Sequence, residues 1–593
     1  MTASPANRDS TSGVASPGNV RYSIYCTGTD IKQLLLDEAQ RRETLAYFAQ
    51  LRAYKMYLQY GRQDDEISPD DLRRVSGALR AAGYEVAGAL VPACQATPYC
   101  YNNAGHMAML QRQAEFCAEL FDEIIVDDWL FTICRCSACA QARGGRSWAE
   151  YRCRLVAEKS AQHLIGPARR VNPRVKLIVK FPNWNECHHH NGYGVAEQIA
   201  QFDAFCTGIE TRDHAAHRQH IPMYTAYLLE QWQQQADAGK FHSCWVDTGS
   251  ADNGRERIYL GQVYQGVLGG AREVVLWCAG SHYPKHLRPS GLAAAPPQSS
   301  ATCLQLLVEE RAALHTLAGL LRAPARGVDM YLPFGTDGEY NIFGYLGMLG
   351  IPINPVREFP RGPGVCILSE HAATDNNLVE RILQRLDHGG EVFITHGLWQ
   401  RLQHTEIGGA FQVVRRGGSV KHAVFHLYDR NNIWRHRQIR AEKEIAFPAL
   451  QLAEWPGDRR VSIDREDGMF SVLATAACLN GWVHLFIMPE NYYDLFHFPA
   501  EALDAIRAVF FDTLGLALRG PSRVGLYQYQ DGTLALCNMH DTPAACGVTL
   551  AGNAGGAWHE MLHGKELSAT RDAHGTTLSL TLAPYEAAVL QRA

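Results

Sequence analysis

The sequence predicts an α/β protein: a (β/α)8 TIM barrel, then a flavodoxin-like (glutamine-amidotransferase-like) α/β domain, then a small C-terminal β-sandwich. Three observations carry that prediction. Short apolar segments alternate with longer amphipathic ones from Arg21 to Leu321. Acidic residues recur where those apolar segments end, and in a parallel barrel every such end opens onto one shared mouth. The first segment is followed by Cys26-Thr-Gly-Thr29, which is not the glycine-rich phosphate turn a doubly wound open sheet would need.

The eight expected barrel strands are Tyr22–Cys26, Tyr54–Gln59, Glu85–Val91, Glu123–Asp127, Lys176–Lys180, Thr207–Glu210, Ser243–Asp247 and Glu273–Trp277. Helical periodicity lies between them, for example over Asp70–Ala82, Met107–Leu120, Trp148–Ile165 and Arg257–Leu268. The barrel is expected to occupy residues 21–322, after a polar, Ser/Pro/Gly-rich leader over residues 1–20 that is expected to be disordered. In residues 323–515, Gly364–Leu368 and Glu391–Thr395 read as strands around a helix at Asn377–Leu386, with Gly389-Gly390 as its stop. A polar, strand-like stretch over residues 412–482 reads as a β-rich insertion, and Pro499–Phe511 as a helix closing the layer. Short strands separated by turn residues such as Asp531-Gly532 and His574-Gly575 make residues 516–593 a sandwich.

A chain of 593 residues exceeds one hydrophobic core, so about three or four domains are expected. An apolar fraction of 46% with 20% charge is ordinary for a soluble protein. The net charge of −5 argues against nucleic acid and membrane surfaces as partners. The N-terminus lacks a basic start and an apolar core, so no secretory signal is read there. Seventeen cysteines without such a signal suggest thiols or a metal site in a reducing compartment, and a cytoplasmic location is expected.

The strongest chemical signal is Phe121-Asp-Glu-Ile-Ile-Val-Asp-Asp-Trp129, a short apolar strand ending in Asp127 and Asp128. Packing gains nothing from desolvating two adjacent carboxylates, and their repulsion should raise at least one pKa, as a general acid requires. Glu210, Arg212 and Asp213 follow strand six, Asp247 ends strand seven, and Gly280-Ser-His282-Tyr283 follows strand eight. Cleaving a glycosidic bond takes two carboxyl groups, one protonating the leaving oxygen and one attacking the anomeric carbon or activating water. The expected assignment is Asp127 as nucleophile, Glu210 as general acid/base, and Asp128 as a neighbouring acid that tunes Asp127 or binds a hydroxyl. Trp129, Trp184, Tyr193, Trp245, Trp277 and Tyr283 offer rings for sugar C–H faces, and Lys180, Asn183, Arg212, Asp213, Asp247 and His282 offer polar contacts. Packing roles compete with binding at each of these aromatics, and a helix cap plus a surface acid competes at Asp127–Asp128.

Cys134-Arg-Cys136-Ser-Ala-Cys139 can wrap one tetrahedral ion, with Cys100 or Cys94 as the nearest source of a fourth thiolate. Such an ion would be structural zinc. No cofactor is expected for catalysis. His188-His-His190 reads mainly as a polar loop. A metal-dependent hydrolase built from His188–His190 with Glu186 or Asp213, and a catalytically inactive carbohydrate-binding barrel, are the alternatives.

A strand-four end followed by C-x-C-x-x-C, a flavodoxin-like domain, and a terminal β-domain ending Thr581–Leu590 together resemble the family 42 β-galactosidases and their relatives. That resemblance implies a glycosidase acting on an oligosaccharide, zinc at the cysteines, and a homo-oligomer, dimer or trimer, built through the middle domain, while the expected Asp127–Glu210 pair makes an exo-acting, retaining enzyme the expectation, with retention depending on a carboxyl separation of about 5 Å. The family carries Asn-Glu at the end of strand four and a Glu after strand seven, where this chain has Asp127-Asp128 and Asp247. The string Asp122–Asp127 is instead similar to the nucleophile region of family 27 and 36 α-galactosidases, whose acid/base follows strand six, the place of Glu210.

Overall fold

The computed structural model describes residues 19–592, apart from 95–96, 212–220, 252–253, 285–296, 430–431, 454–457, 467, 553–556 and 573–574. Eight parallel strands form the first sheet: β1 (Arg21–Cys26), β2 (Lys55–Arg62), β3 (Glu85–Cys94), β4 (Glu123–Val126), β5 (Lys176–Phe181), β6 (Ala204–Gly208), β7 (Phe241–Asp247) and β8 (Glu273–Trp277). Each pairs with its sequence neighbour, β1 pairs with β8, and the sheet closes into a barrel. One principal helix follows each strand: α1 (Glu38–Phe48), α2 (Pro69–Ala81), α3 (Ala104–Leu120), α4 (Trp148–Ser160), α5 (Val195–Gln201), α6 (Tyr224–Asp237), α7 (Arg257–Leu268) and α8 (Pro297–Leu320). The helix starts follow local chemistry. Ser68, Asn103 and Ser147 each accept a backbone N–H three residues on, capping α2, α3 and α4, and Pro69 needs no donor at the first helical position of α2.

Period-two alternation sorts the strand residues into layers. Along β4, Glu123, Ile125 and Asp127 share one side, while Ile124 and Val126 join the packing against the helices. The barrel interior sets the large rings of Tyr25, Tyr57 and Trp245 against Ala87, Ala89, Ala204 and Cys206 from facing strands. Ile125, Ile178 and Val275 complete a filled interior.

The N-terminal end of the barrel is closed by charge. Lys55, the first residue of β2, reaches Glu123 at 2.7 Å and Glu273 at 3.3 Å, the first residues of β4 and β8. Ser23, Tyr54 and Tyr57 donate to the same carboxylates, and His242 lies 3.7 Å from Glu123. Burial would raise the pKa of Glu123, yet His242, Lys55 and Lys176 hold it well below the usual carboxylate range. Ionic pairs at this end serve the barrel's closure, since the opposite end carries the loops.

After α8 the chain builds a nine-stranded mixed sheet. Its parallel part is β9 (Val328–Tyr331), β10 (Ile353–Val356), β11 (Val365–Leu368) and β12 (Glu391–Thr395). The stretch expected as an insertion folds as antiparallel strands β13 (Val413–Asp429), β14 (Asn432–Leu452), β15 (Asp458–Arg465) and β16 (Gly468–Cys478). They do not form a separate unit: β17 (Gly481–Phe486) pairs with both β12 and β16, so the antiparallel strands extend the same sheet. The last strands form two sheets, one of which also takes up Ala325–Arg326 from the start of this segment. All seventeen cysteines are free thiols. Among the described residues no helix is long and apolar enough to cross a membrane. Residues 1–18 of the expected leader lie outside the described residues.

Candidate active site

The inward positions of β4 and β5 end at Asp127 and Lys180, and Lys180 organises what surrounds it. Its ammonium lies 2.7 Å from Asp128 Oδ2, 3.2 Å from Glu210 Oε1 and 3.6 Å from Asp127 Oδ1. The same nitrogen stands 4.2 Å above the Trp245 ring, whose face is electron-rich. Because one nitrogen lies 3.6 and 3.2 Å from them, the Asp127 and Glu210 oxygens are at most about 6.8 Å apart. Burial alone would favour a neutral lysine, but the three carboxylates push its pKa well above the ordinary value, so it stays charged.

Asp127 is buried, 6% exposed, and is held from two further directions. Tyr25 of β1 donates to Oδ2 at 3.0 Å, and the backbone N–H of Asp128 donates to Oδ1 at 2.7 Å. Burial and the neighbouring Asp128 charge raise its pKa to about 6, against the opposing pull of Lys180, the Asp128 amide and Tyr25. The Tyr25 hydroxyl also lies 3.2 Å from Gln59 Oε1, and Gln59 donates to Asp65 at 3.1 Å. A proton on Asp127 would turn Tyr25 toward Gln59, so this chain can follow the charge of Asp127. Asp128 is more open, its side chain 27% exposed, and marks the solvent side of the cluster.

Glu210 comes to the cluster two residues beyond β6. Its backbone carbonyl accepts from Asn183, which sits two residues beyond β5. Gly208 faces the Glu210 carboxylate so closely that a Cβ there would lie 2.6 Å from Oε2. Tyr193 donates to the carbonyl of Asp128 and packs on Trp184, which is half-buried and also meets Phe131. Trp129 is half-buried under the Arg62 guanidinium, 5.1 Å from its ring. Trp277 crowns the interior residues of β8.

Three other expected contacts have partners of their own. Asp247, at the end of β7, accepts the Gly249 N–H in a tight local turn. His282 is wholly buried, donating Nδ1–H to the Cys278 carbonyl while its Nε2 meets the Tyr259 hydroxyl at 2.8 Å, and burial depresses its pKa to about 4. Tyr283 is buried against Tyr47 and Phe48. Both residues are committed to packing because the segment after β8 turns back against α1 and α7. Arg212 and Asp213 lie outside the described residues. Sequence reasoning passed over Tyr25, Gln59 and Arg62. The signal for the first two was available: Tyr25 and Gln59 are two residues beyond the inward Ser23 and Tyr57.

Cys100, Cys134, Cys136 and Cys139 bring their sulfurs within 4.8 Å of one another. Cys100 Sγ is 3.9 Å from Cys136 Sγ and 3.7 Å from Cys139 Sγ. Four sulfurs at about 2.3 Å from a tetrahedral zinc stand about 3.8 Å apart, so the donor set fits that ion. Asn102 donates to Cys139 Sγ, supporting it from outside. Cys94 turns instead to His106, at 3.5 Å.

Residues 11–292 match the family model described as a probable glycosyl hydrolase catalytic domain. The barrel is the part of the chain that this model covers. Residues 324–452 match the model of the second domain of the uncharacterized protein SSO3021. SSO3021 itself, from Saccharolobus solfataricus, is 22% identical over 296 residues, covering 44% of this chain and 48% of that protein, so the match spans about half of the relative's length. Among solved structures, the β-galactosidase from Bacillus circulans sp. alkalophilus superposes with a TM-score of 0.62 at 10% identity, covering 97% of this chain and 99% of that one. A family 42 β-galactosidase from G. stearothermophilus gives 0.60 at 10% identity, covering 97% and 98%. At that identity the likeness is one of fold, and it extends across the barrel, the middle sheet and the terminal β-domain.

Proposed function

We propose that the protein is a retaining, exo-acting glycoside hydrolase that cleaves a glycosidic bond in an oligosaccharide. The observation that carries the reading is the gathering of Asp127, Asp128 and Glu210 around one buried ammonium at the C-terminal end of a glycosyl hydrolase barrel. In this reading Asp127 attacks the anomeric carbon while Glu210 protonates the leaving oxygen, then Glu210 deprotonates the water that releases the sugar. Lys180 keeps Asp127 ionised near neutral pH although it is buried, and Tyr25 fixes the attacking carboxylate's orientation. Asp128 and Trp129, on the open side, receive the sugar's hydroxyls and C–H face. The upper bound of about 6.8 Å on the oxygen separation leaves room for the retaining gap of about 5–5.5 Å.

Structural zinc at Cys100, Cys134, Cys136 and Cys139 pins the loop after β4 against the loop after β3 and takes no part in the reaction. The middle domain is the surface on which a homo-oligomer, dimer or trimer, assembles, and the protein works in the cytoplasm.

The test is a panel of nitrophenyl glycosides and oligosaccharides, with product anomers followed by NMR. Turnover that falls by several orders of magnitude in Asp127→Asn and Glu210→Gln, with both variants still folded and unfolding cooperatively, supports the assignment. One observation favours a second reading, a barrel that binds sugar without cleaving it: Lys180 stands between the two acids and neutralises them. Saturable sugar binding without release of reducing ends would select that reading.

A further inference from the structure

The three consecutive histidines after β5 part company. His188 is buried and donates Nε2–H to the Pro182 carbonyl at 3.0 Å, which closes its own loop. His189 and His190 turn the other way, toward Asp337 in the segment that follows β9. Their Nε2 atoms lie 3.3 and 2.7 Å from the same Asp337 oxygen, and their rings stand 4.0 Å apart. All three ligand atoms fall within 4.8 Å of one another. Gly335 lies beside them with a φ of +72°, and a Cβ at that position would make ordinary contact with the His189 Cβ at 3.5 Å.

We propose that His189, His190 and Asp337 bind one divalent transition-metal ion of the zinc or nickel class. The donor set is two imidazoles and one carboxylate, a combination that suits such ions and not the hard, all-oxygen cations. Ligands about 2.0–2.1 Å from one ion lie about 3.0–3.4 Å from each other, a spacing the His189–Asp337 pair already has. His190 has to withdraw by about half an ångström from its hydrogen bond, which its half-exposed ring allows. Side-chain exposures of 11%, 48% and 66% leave the remaining positions of the ion to water, so it is exchangeable and distinct from the cysteine cluster.

The ion would have a mechanical consequence. His189 and His190 end the loop that carries Asn183 and Trp184, and Asn183 holds the Glu210 carbonyl. Asp337 belongs to the middle segment, which already grips that loop through Glu186: His371 lies 2.9 Å from Glu186 Oε2, and the Asn341 N–H donates to Oε1. A metal clasp at His189–His190–Asp337 adds a second tie between the barrel's fifth loop and the segment after β9.

The measurement is calorimetric titration of the full chain with nickel chloride, on protein carrying zinc at its cysteine cluster. The wild type is expected to take up one saturable equivalent without releasing zinc. His190→Gln and Asp337→Asn are expected to lose that equivalent or to bind it at least tenfold more weakly, with circular dichroism and melting curves like those of the wild type. The proposal is overturned if the wild type takes up no saturable equivalent, or if both variants take it up as tightly as the wild type does.

Discussion

Lys180→Met isolates the electrostatics on which the site depends. The ammonium is 3.6 Å from Asp127 Oδ1, and both groups are buried. At an effective dielectric near 20 that separation corresponds to roughly 4–5 kcal/mol, or about three pKa units. Asp127 stands at about 6 with the lysine present, so without it the carboxyl should titrate near pH 9. Near neutral pH the ionised fraction then falls by about two orders of magnitude, from most of the population to about 1%. The assay is the pH dependence of kcat/KM on whichever glycoside the panel selects, because that ratio reports the free enzyme's groups. A substrate-free check is infrared difference spectroscopy of the carboxyl C=O stretch against pH. The expected result is an acidic limb displaced upward by about three units, with activity recovering in alkali. A limb within about half a unit of the wild type would refute the role given to Lys180.

Three further outcomes follow from the same contacts. A carboxyl whose folded pKa of about 6 exceeds its ordinary 3.8 keeps more protons folded than unfolded between those values, so its contribution to stability falls as pH rises through that window. Asp127→Asn should therefore raise stability at pH 7.5 by up to about 3 kcal/mol and leave it nearly unchanged at pH 4, measured by urea unfolding. Tyr25→Phe removes the hydroxyl that donates to Asp127 at 3.0 Å; a charge-assisted hydrogen bond of about 1.5–3 kcal/mol moves the acidic limb up by about one to two units, and an unmoved limb would deny Tyr25 its part. Lys55→Met, at the closed end, removes the buried ammonium shared by Glu123 and Glu273, which keep Lys176 and Arg21, and should cost about 1.5–3 kcal/mol of stability while leaving the pH–rate profile in place. The lowered pKa values of Glu123 and Glu273 give stability that is present above the unfolded carboxylate pKa and lost as pH falls, so the variant's acid dependence should flatten.

The barrel was legible because short apolar runs, buried on both faces, alternate with longer amphipathic stretches and end in acids or turn residues. Asp127 could be placed inward by counting from Ile125, and Lys180 by counting from Ile178. The end of strand six was harder: β6 is Ala204–Gly208, and Glu210 lies beyond it on a loop whose course depends on Asn183. Tyr25 escaped notice because a tyrosine in a buried strand reads as core, although its two-residue offset from Ser23 put it on the inward side, where its hydroxyl meets Asp127. His282 and Tyr283 looked available because they follow a strand end, but loop direction is set by packing against α1 and α7, which no local pattern records. The cysteine spacing announced three sulfurs. Choosing Cys100 over Cys94 as the fourth takes the tertiary position of the loop after β3. The long antiparallel strands were expected as an insertion, yet their joining to β12 through β17 is a pairing between distant segments that periodicity does not encode.

The most direct test of the central claim is mass spectrometry of protein inactivated by a 2-deoxy-2-fluoro glycoside of the sugar that the panel identifies. One glycosyl adduct on the peptide bearing Asp127, slower to form in Glu210→Gln, is the predicted result. An adduct on the peptide bearing Asp247, or turnover that inverts the anomer with no adduct formed, would contradict it.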